Sequence, residues 1–392
     1  MNGSHMRVYL DYNATTPLAP EVVDAVVAAT RDLFGNPSSV HHFGQQAKAA
    51  MDDARTAVAT LIGADPSEVV FTSGGTEADN LALRGAAEAA EPTGRRHLVA
   101  SAIEHEAVLN TLKALARRGW RTTLVPVDQS GIVSAERVRE ALADDTAVVS
   151  VMHANNEIGT IQPIAEIAAV AHERGALMHT DAVQSAGKIP VDVRALGVDL
   201  LALSAHKLNG PKGAGALWIK RGTRMLPILT GGKHERSRRA GTENVPAIAG
   251  FGIAARQAAS KIKTEGVRVA ALRDRLEAGV LGGVPGTTVN GAVDARVPNT
   301  SNISFDRVEA ESLLIALDLE GIAVSTGSAC SSGTMEPSHV LRAMGFPAHR
   351  TQNSLRFSLG MFSTDADVVR VVAVLPGLVE KLRKLTRKAV GI

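Results

Sequence analysis

The stretch Val69-Val70-Phe71-Thr72-Ser73-Gly74-Gly75-Thr76-Glu77-Ala78 decides the reading of the fold. Apolar and β-branched residues run into a glycine turn, and a helical pattern (78–90) leaves it. Six further short apolar or β-branched runs follow, at 97–100, 122–127, 147–152, 177–180, 198–203 and 214–219. Helical segments at 105–118, 134–143 and 164–174 separate most of them. Strands alternating with helices imply an α/β fold with a mainly parallel seven-stranded sheet covered by helices on both faces. Aromatics make up only 3% of the chain, so Ala, Val, Leu and Ile must supply its bulk, as befits a sheet buried on both sides.

Outward from this block, helices are expected at about 21–34 and 42–62, broken by Gly35-Asn36-Pro37-Ser38-Ser39. After Gly241 a long helical stretch (245–281), fewer strands (289–290, 300–305, 322–324, 355–358) and helices at 309–319 and 365–387 indicate a smaller α+β unit. The expected division is a large α/β domain over 20–262. A small domain combines 1–19 with 263–392. Gly3-Ser4-His5-Met6 reads as the remnant of a cleaved tag, which puts the natural start at Met6.

The 392 residues are 45% hydrophobic and 21% charged, a globular composition and not a disordered one. Forty-two basic residues against 40 acidic ones leave +2, which argues against nucleic acid or a membrane surface as partner. No apolar run approaches the ~20 residues that cross a bilayer. A single cysteine excludes an internal disulfide framework and an all-cysteine metal site, and no metal is expected. The expected location is cytoplasmic.

Ligands of open α/β sheets bind beyond the carboxyl ends of the strands. The Gly74-Gly75-Thr76 turn opens a helix, where free N–H groups favour an anion such as phosphate. It is neither a Walker loop nor G-x-G-x-x-G. The next strand leads to His105, able to stack on a planar ligand. Another leads to Asn155-Asn156, able to hydrogen-bond one. Asp181, at the end of a buried run, calls for a cationic partner. Ser204-Ala205-His206-Lys207 closes the sixth run, and Lys207, leaving a buried strand, has the setting of a Schiff-base nucleophile. Together these are the parts that hold pyridoxal 5′-phosphate. Cys330 lies in Ser325-Thr326-Gly327-Ser328-Ala329-Cys330-Ser331-Ser332-Gly333, a polar setting that suggests a reactive thiol and not a core hydrophobe. Arg356, in a strand, suits a carboxylate.

In these motifs the chain resembles the cysteine desulfurases of the nitrogen-fixation and iron–sulfur-assembly type, pyridoxal-phosphate enzymes of fold type I. The likeness runs from Tyr9-Leu10-Asp11-Tyr12-Asn13-Ala14-Thr15-Thr16-Pro17 through Arg239-Ala240-Gly241-Thr242-Glu243-Asn244 to Leu355-Arg356-Phe357-Ser358-Leu359-Gly360. The resemblance implies that Lys207 binds the cofactor and later moves the substrate's α-proton. Asp181 would pair with the ring nitrogen, with His105 stacked on the ring. Asn156 and Gln184 would lie beside the ring hydroxyl. Gly75, Thr76, Ser204 and His206 would hold the phosphate, and Thr242 would reach the phosphate of the neighbouring subunit in a homodimer. Arg356, with Asn156, would bind the carboxylate of L-cysteine. Cys330 would take the sulfur as a persulfide, release alanine, and pass the sulfur to an acceptor or iron–sulfur scaffold protein. A selenocysteine lyase or an aminotransferase of the same fold would use much of the same set. A non-catalytic scaffold would bind no cofactor.

Overall fold

The computed structural model describes residues 7–327 and 337–390, the side chains of 386–390 excepted. Seven strands form the main sheet: β2 (Val69–Thr72), β3 (His97–Ser101), β4 (Arg121–Val125), β5 (Thr146–Ser150), β6 (Leu177–Asp181), β7 (Leu200–Ser204) and β8 (Gly215–Ile219), after the short β1 (Val8–Tyr9) at the N-terminus. Their order across the sheet is β2-β8-β7-β6-β5-β3-β4. All neighbours are parallel except β8, which runs antiparallel to both β2 and β7.

Successive residues of a strand face opposite sides, and both sides are buried. Leu201 and Leu203 enter the core shared with helices His42–Leu61 and Val245–Gly283. Leu200 and Ala202 face the core under helices Gly75–Ala90 and Glu106–Ala116. The edge strand β4 alone is largely open to solvent.

A separate apolar core joins Val8 and Leu10 to Val269, Leu276, Phe305, Leu313, Phe357 and Val379. It covers a three-stranded antiparallel sheet of β9 (Thr287–Asn290), β10 (Thr300–Phe305) and β12 (Ser354–Ser358), with β10 in the middle. β1 pairs in parallel with β11 (Ile322–Ala323). The Val245–Gly283 helix, ~58 Å long at ~1.5 Å per residue, serves both cores: its first turns pack in the large one and Val269 to Val280 in the small one. Residues 262 and 263, where the sequence reading divides the chain, lie inside this helix.

The strand order places the site. From β3 the chain steps outward to β4, then returns to β5 on the other side of β3 and proceeds through β6 and β7. Loops leaving β3 and β5 therefore diverge at their carboxyl ends, opening a crevice beside Asp181 and Ser204, the last residues of β6 and β7. Residues 11–16, between the two cores, cross this crevice; Asp11 bridges to Ser358 and Thr16 N–H donates to the His206 carbonyl.

Candidate active site

A cavity of ≈ 560 Å³ fills the crevice, lined among others by Gly75, Thr76, His105, Asn156, Asp181, Gln184, Ser204, His206, Lys207 and Arg356. Of the residues singled out from sequence, these ten meet there. Thr242 is exposed and does not line the cavity of its own chain. Cys330 lies outside the described residues; Gly327 and Pro337, the described residues nearest it on either side, both line the cavity.

At one end is an anion cradle. The Gly75–Ala90 helix starts without a side-chain cap, because Gly74 occupies the capping position and Thr76 lies inside the first turn, not at the cap. The helix keeps its first N–H groups free for a ligand. A Cβ on Gly75 would come within 2.9 Å of Val183, so the backbone approaches the cavity wall more closely than any side chain permits. Opposite it, the buried Ser204 hydroxyl has no partner. His206 donates to or accepts from Thr15 at 3.2 Å, and burial beside Lys207 lowers its imidazole to about 4. It therefore meets an anion as a neutral hydrogen-bonding group.

Asp181 lies farther in, 5% exposed, with Oδ1 accepting from the Val183 N–H at 2.8 Å. Burial raises its carboxyl while His105 and Lys207 pull it down. Behind it lie two more buried carboxyls. Glu104, raised to about 8 by burial, accepts from the Met152 N–H at 2.7 Å; Asp79, raised well above its usual range by burial and then by Asp181, has Oδ1 3.5 Å from His179 Nε2. Three carboxyls in one apolar setting cannot all ionise, so the site favours a cation facing Asp181. His105 caps the Glu106–Ala116 helix through Nδ1, accepting from Ala107 N–H, which turns its ring to the cavity mouth.

Lys207 enters from the opposite side. Its Nζ donates to the carbonyls of Asn13 (2.5 Å) and Ala14 (2.7 Å), and burial, reinforced by Arg356, lowers it to about 8. Arg356, 3% exposed on β12, donates to the Asn156 carbonyl at 2.9 Å and to Asp11 Oδ1 at 2.6 Å; its Nε is unpaired. Asn156 lines the cavity, whereas its neighbour Asn155 is structural: Asn155 Oδ1 accepts from the N–H groups of Glu157 and Ile158. Gln184 donates through Nε2 to the Asn13 carbonyl at 3.0 Å.

These features match pyridoxal 5′-phosphate: an unpartnered hydroxyl and free helix N–H groups for a phosphate, a buried carboxyl for a protonated ring nitrogen, and an amine of lowered basicity for an aldehyde. Sequence reasoning overlooked Asp11, Asn13, Asp79 and Lys188. Asp11 and Asn13 stand in the N-terminal motif, but their contacts reach more than a hundred residues away. The four-residue spacing of Gln184 and Lys188 is the one local signal.

Residues 8–371 match the family model described as aminotransferase class-V. A cysteine desulfurase of Trichormus azollae is 49% identical over 97% of this chain and 94% of its own length. Cysteine desulfurase IscS of Dictyoglomus turgidum is 48% identical over 97% of this chain and 96% of its own. A solved NifS-like protein superimposes with a TM-score of 0.90 at 36% identity, covering 96% of this chain and all 100% of the other.

Proposed function

This chain belongs to the class-V aminotransferase family and is a pyridoxal-phosphate-dependent cysteine desulfurase; on that premise we propose how its own residues share the reaction. When bound, pyridoxal phosphate supplies an aldehyde for an amine to join and a ring that withdraws electrons from the substrate's Cα. Lys207, with its basicity lowered to about 8, is the amine that joins it and afterwards moves the proton at the substrate's Cα. Asp181 keeps a proton on the ring nitrogen. His105 would lie against the ring face, and Asn156 and Gln184 would lie beside its hydroxyl. Gly75, Thr76, Ser204 and His206 hold the phosphate. Arg356, with Asn156, takes the carboxylate of L-cysteine and fixes the thiol outward.

The Cys330 thiolate attacks the sulfur of the bound cysteine. An S–S bond forms as the substrate's C–S bond breaks, the C–S electron pair stays on the carbon side, and protonation there yields alanine. The persulfide passes to an acceptor or iron–sulfur scaffold protein. The enzyme acts in the cytoplasm, where thiols stay reduced, as a homodimer in which Thr242 serves the partner's phosphate site. Its exposure, away from its own cavity, supports that assignment. A second apolar core built from Val8, Leu10 and residues 269–379 supports the division into residues 20–262 and the combined 1–19 and 263–392, although Ala19 and the helix His339–Ala343, through Val340 and Leu341, pack in the large core. Iron–sulfur assembly as the pathway rests on relatives named IscS and NifS.

The observation that carries this reading is the convergence of Lys207, Asp181, Ser204 and Arg356 on one cavity. Protein loaded with the cofactor should show a visible band that borohydride bleaches, and Lys207→Ala should lose the band's bleaching and all turnover. A chain that takes up no cofactor contradicts the reading.

A further inference from the structure

One half-buried lysine near the site, Lys188, has no part in the chemistry above. Lys188 Nζ donates to Gln184 Oε1 at 2.6 Å and to Asn13 Oδ1 at 3.0 Å. Among the described residues no carboxylate forms an ion pair with it. Burial, together with the charges of Lys207 and Arg356, pushes this amine well below the ordinary lysine range. A methionine would fill the same space without that cost, so the two hydrogen bonds are what the amine contributes.

Those bonds settle an orientation. A side-chain amide presents either its oxygen or its NH2 group to a given neighbour; here Lys188 Nζ meets two oxygens to which it donates, and the Asn13 carbonyl, an acceptor only, takes the NH2 side. Lys188 therefore holds the oxygen of Gln184, and the NH2 group must lie on the other side. There one hydrogen goes to the Asn13 carbonyl, which also receives Lys207 Nζ. The second remains for the cavity that Gln184 lines. Lys188 is itself fixed, because the Asn13 side chain is pinned at both ends. Its Oδ1 accepts from Asn299, and its Nδ2 donates to Thr300 Oγ1 at 2.8 Å and to the Asn156 carbonyl at 3.1 Å.

We propose that Lys188 is a positioning residue: it locks the Gln184 amide so that a donor, not an acceptor, faces the ring hydroxyl of the cofactor. The inference rests on the placement of Gln184 beside that hydroxyl. A fixed donor favours the deprotonated hydroxyl, which sets the colour of the bound cofactor as well as its affinity. Without Lys188 only the Asn13 carbonyl still orients the amide, and the preference weakens.

The test uses cofactor-loaded full-length protein in five forms: wild type, Lys188→Met, Lys188→Arg, Gln184→Leu and the double variant Lys188→Met/Gln184→Leu. Lys188→Met should shift the balance of the visible absorption bands and weaken cofactor retention about tenfold, roughly the loss of one or two hydrogen bonds. Lys188→Arg, which still donates, should restore the wild-type spectrum. In the Gln184→Leu background, Lys188→Met should change the spectrum no further. An unaltered spectrum and affinity in Lys188→Met, or equal spectral shifts with and without Gln184, would overturn the proposal. Should Lys188→Met fail to fold, the spectrum of Lys188→Leu, which likewise cannot donate, decides by the same criteria. A wild type that binds no cofactor would instead overturn the functional reading, so the two failures are distinct.

Discussion

The two walls of the cavity are prepared in opposite ways. On the wall formed by the large sheet, polar groups are left open: the Ser204 hydroxyl is buried without a partner among the described residues, and the first turn of the Gly75–Ala90 helix has no side-chain cap. On the wall formed by residues 11–16 and β12, the reactive groups are already engaged. Lys207 is held by two carbonyls and Arg356 by Asp11 and the Asn156 carbonyl. An unpartnered buried polar group costs about 1–3 kcal/mol, so the first wall gains that much for each group a ligand satisfies. The second wall gains less from binding, because each new contact displaces an old one, but its side chains are held in place beforehand. The first wall is built for a resident group and the second for a substrate that comes and goes.

The largest expected effect lies on the first wall. Asp181→Ala removes the one carboxyl placed to hold a proton on the ring, and breaking a buried ion pair on one side costs ~3–5 kcal/mol. Cofactor affinity or kcat should fall by two orders of magnitude or more; unchanged kinetics would reduce Asp181 to a turn residue binding the Val183 N–H. On the second wall, Arg356→Lys keeps the charge but loses the planar fork. The KM for cysteine should rise roughly tenfold or more with a smaller change in kcat, because two parallel hydrogen bonds become one. A fall in kcat alone would show that Arg356 serves the chemistry and not the carboxylate.

The smallest effect is a shift in pH. In cofactor-free protein, Lys207 should be half-acylated by a mild reagent near pH 8, its lowered value, and reactivity should rise with pH as the amine loses its proton. Arg356 pushes that midpoint down and Asp11 pushes it up, so Arg356→Gln should raise it and Asp11→Asn should lower it. Shifts of the opposite sign would mean that the second wall is not prearranged by charge.

The same contrast explains what the sequence revealed. The first wall is made of strand ends and the residues just after them, so Gly75, His105, Asp181 and Ser204 stand where a periodic reading points; so does Lys207, just beyond β7, although the second wall holds its amine. The second wall is made by contacts across the chain: Asp11 meets Arg356 and Asn13 meets Lys188, pairings that no local pattern encodes. The antiparallel course of β8 was legible in principle, since residues 205–214 are too few for a parallel crossover of a dozen or more. The short helices Val193–Leu196, His234–Ser237 and Ala348–Gln352 are absent from the sequence reading, because four or five residues carry too little periodicity to register.

The most direct test of the account is the mass of the peptide bearing Cys330 after brief exposure of cofactor-loaded protein to L-cysteine without an acceptor. As the chain's single cysteine, Cys330 is the only thiol that can carry a protein persulfide. That peptide should gain one sulfur atom while an equal amount of alanine appears, and Cys330→Ser should yield neither. Alanine released at the wild-type rate by Cys330→Ser, with no added sulfur on the wild-type peptide, would contradict it.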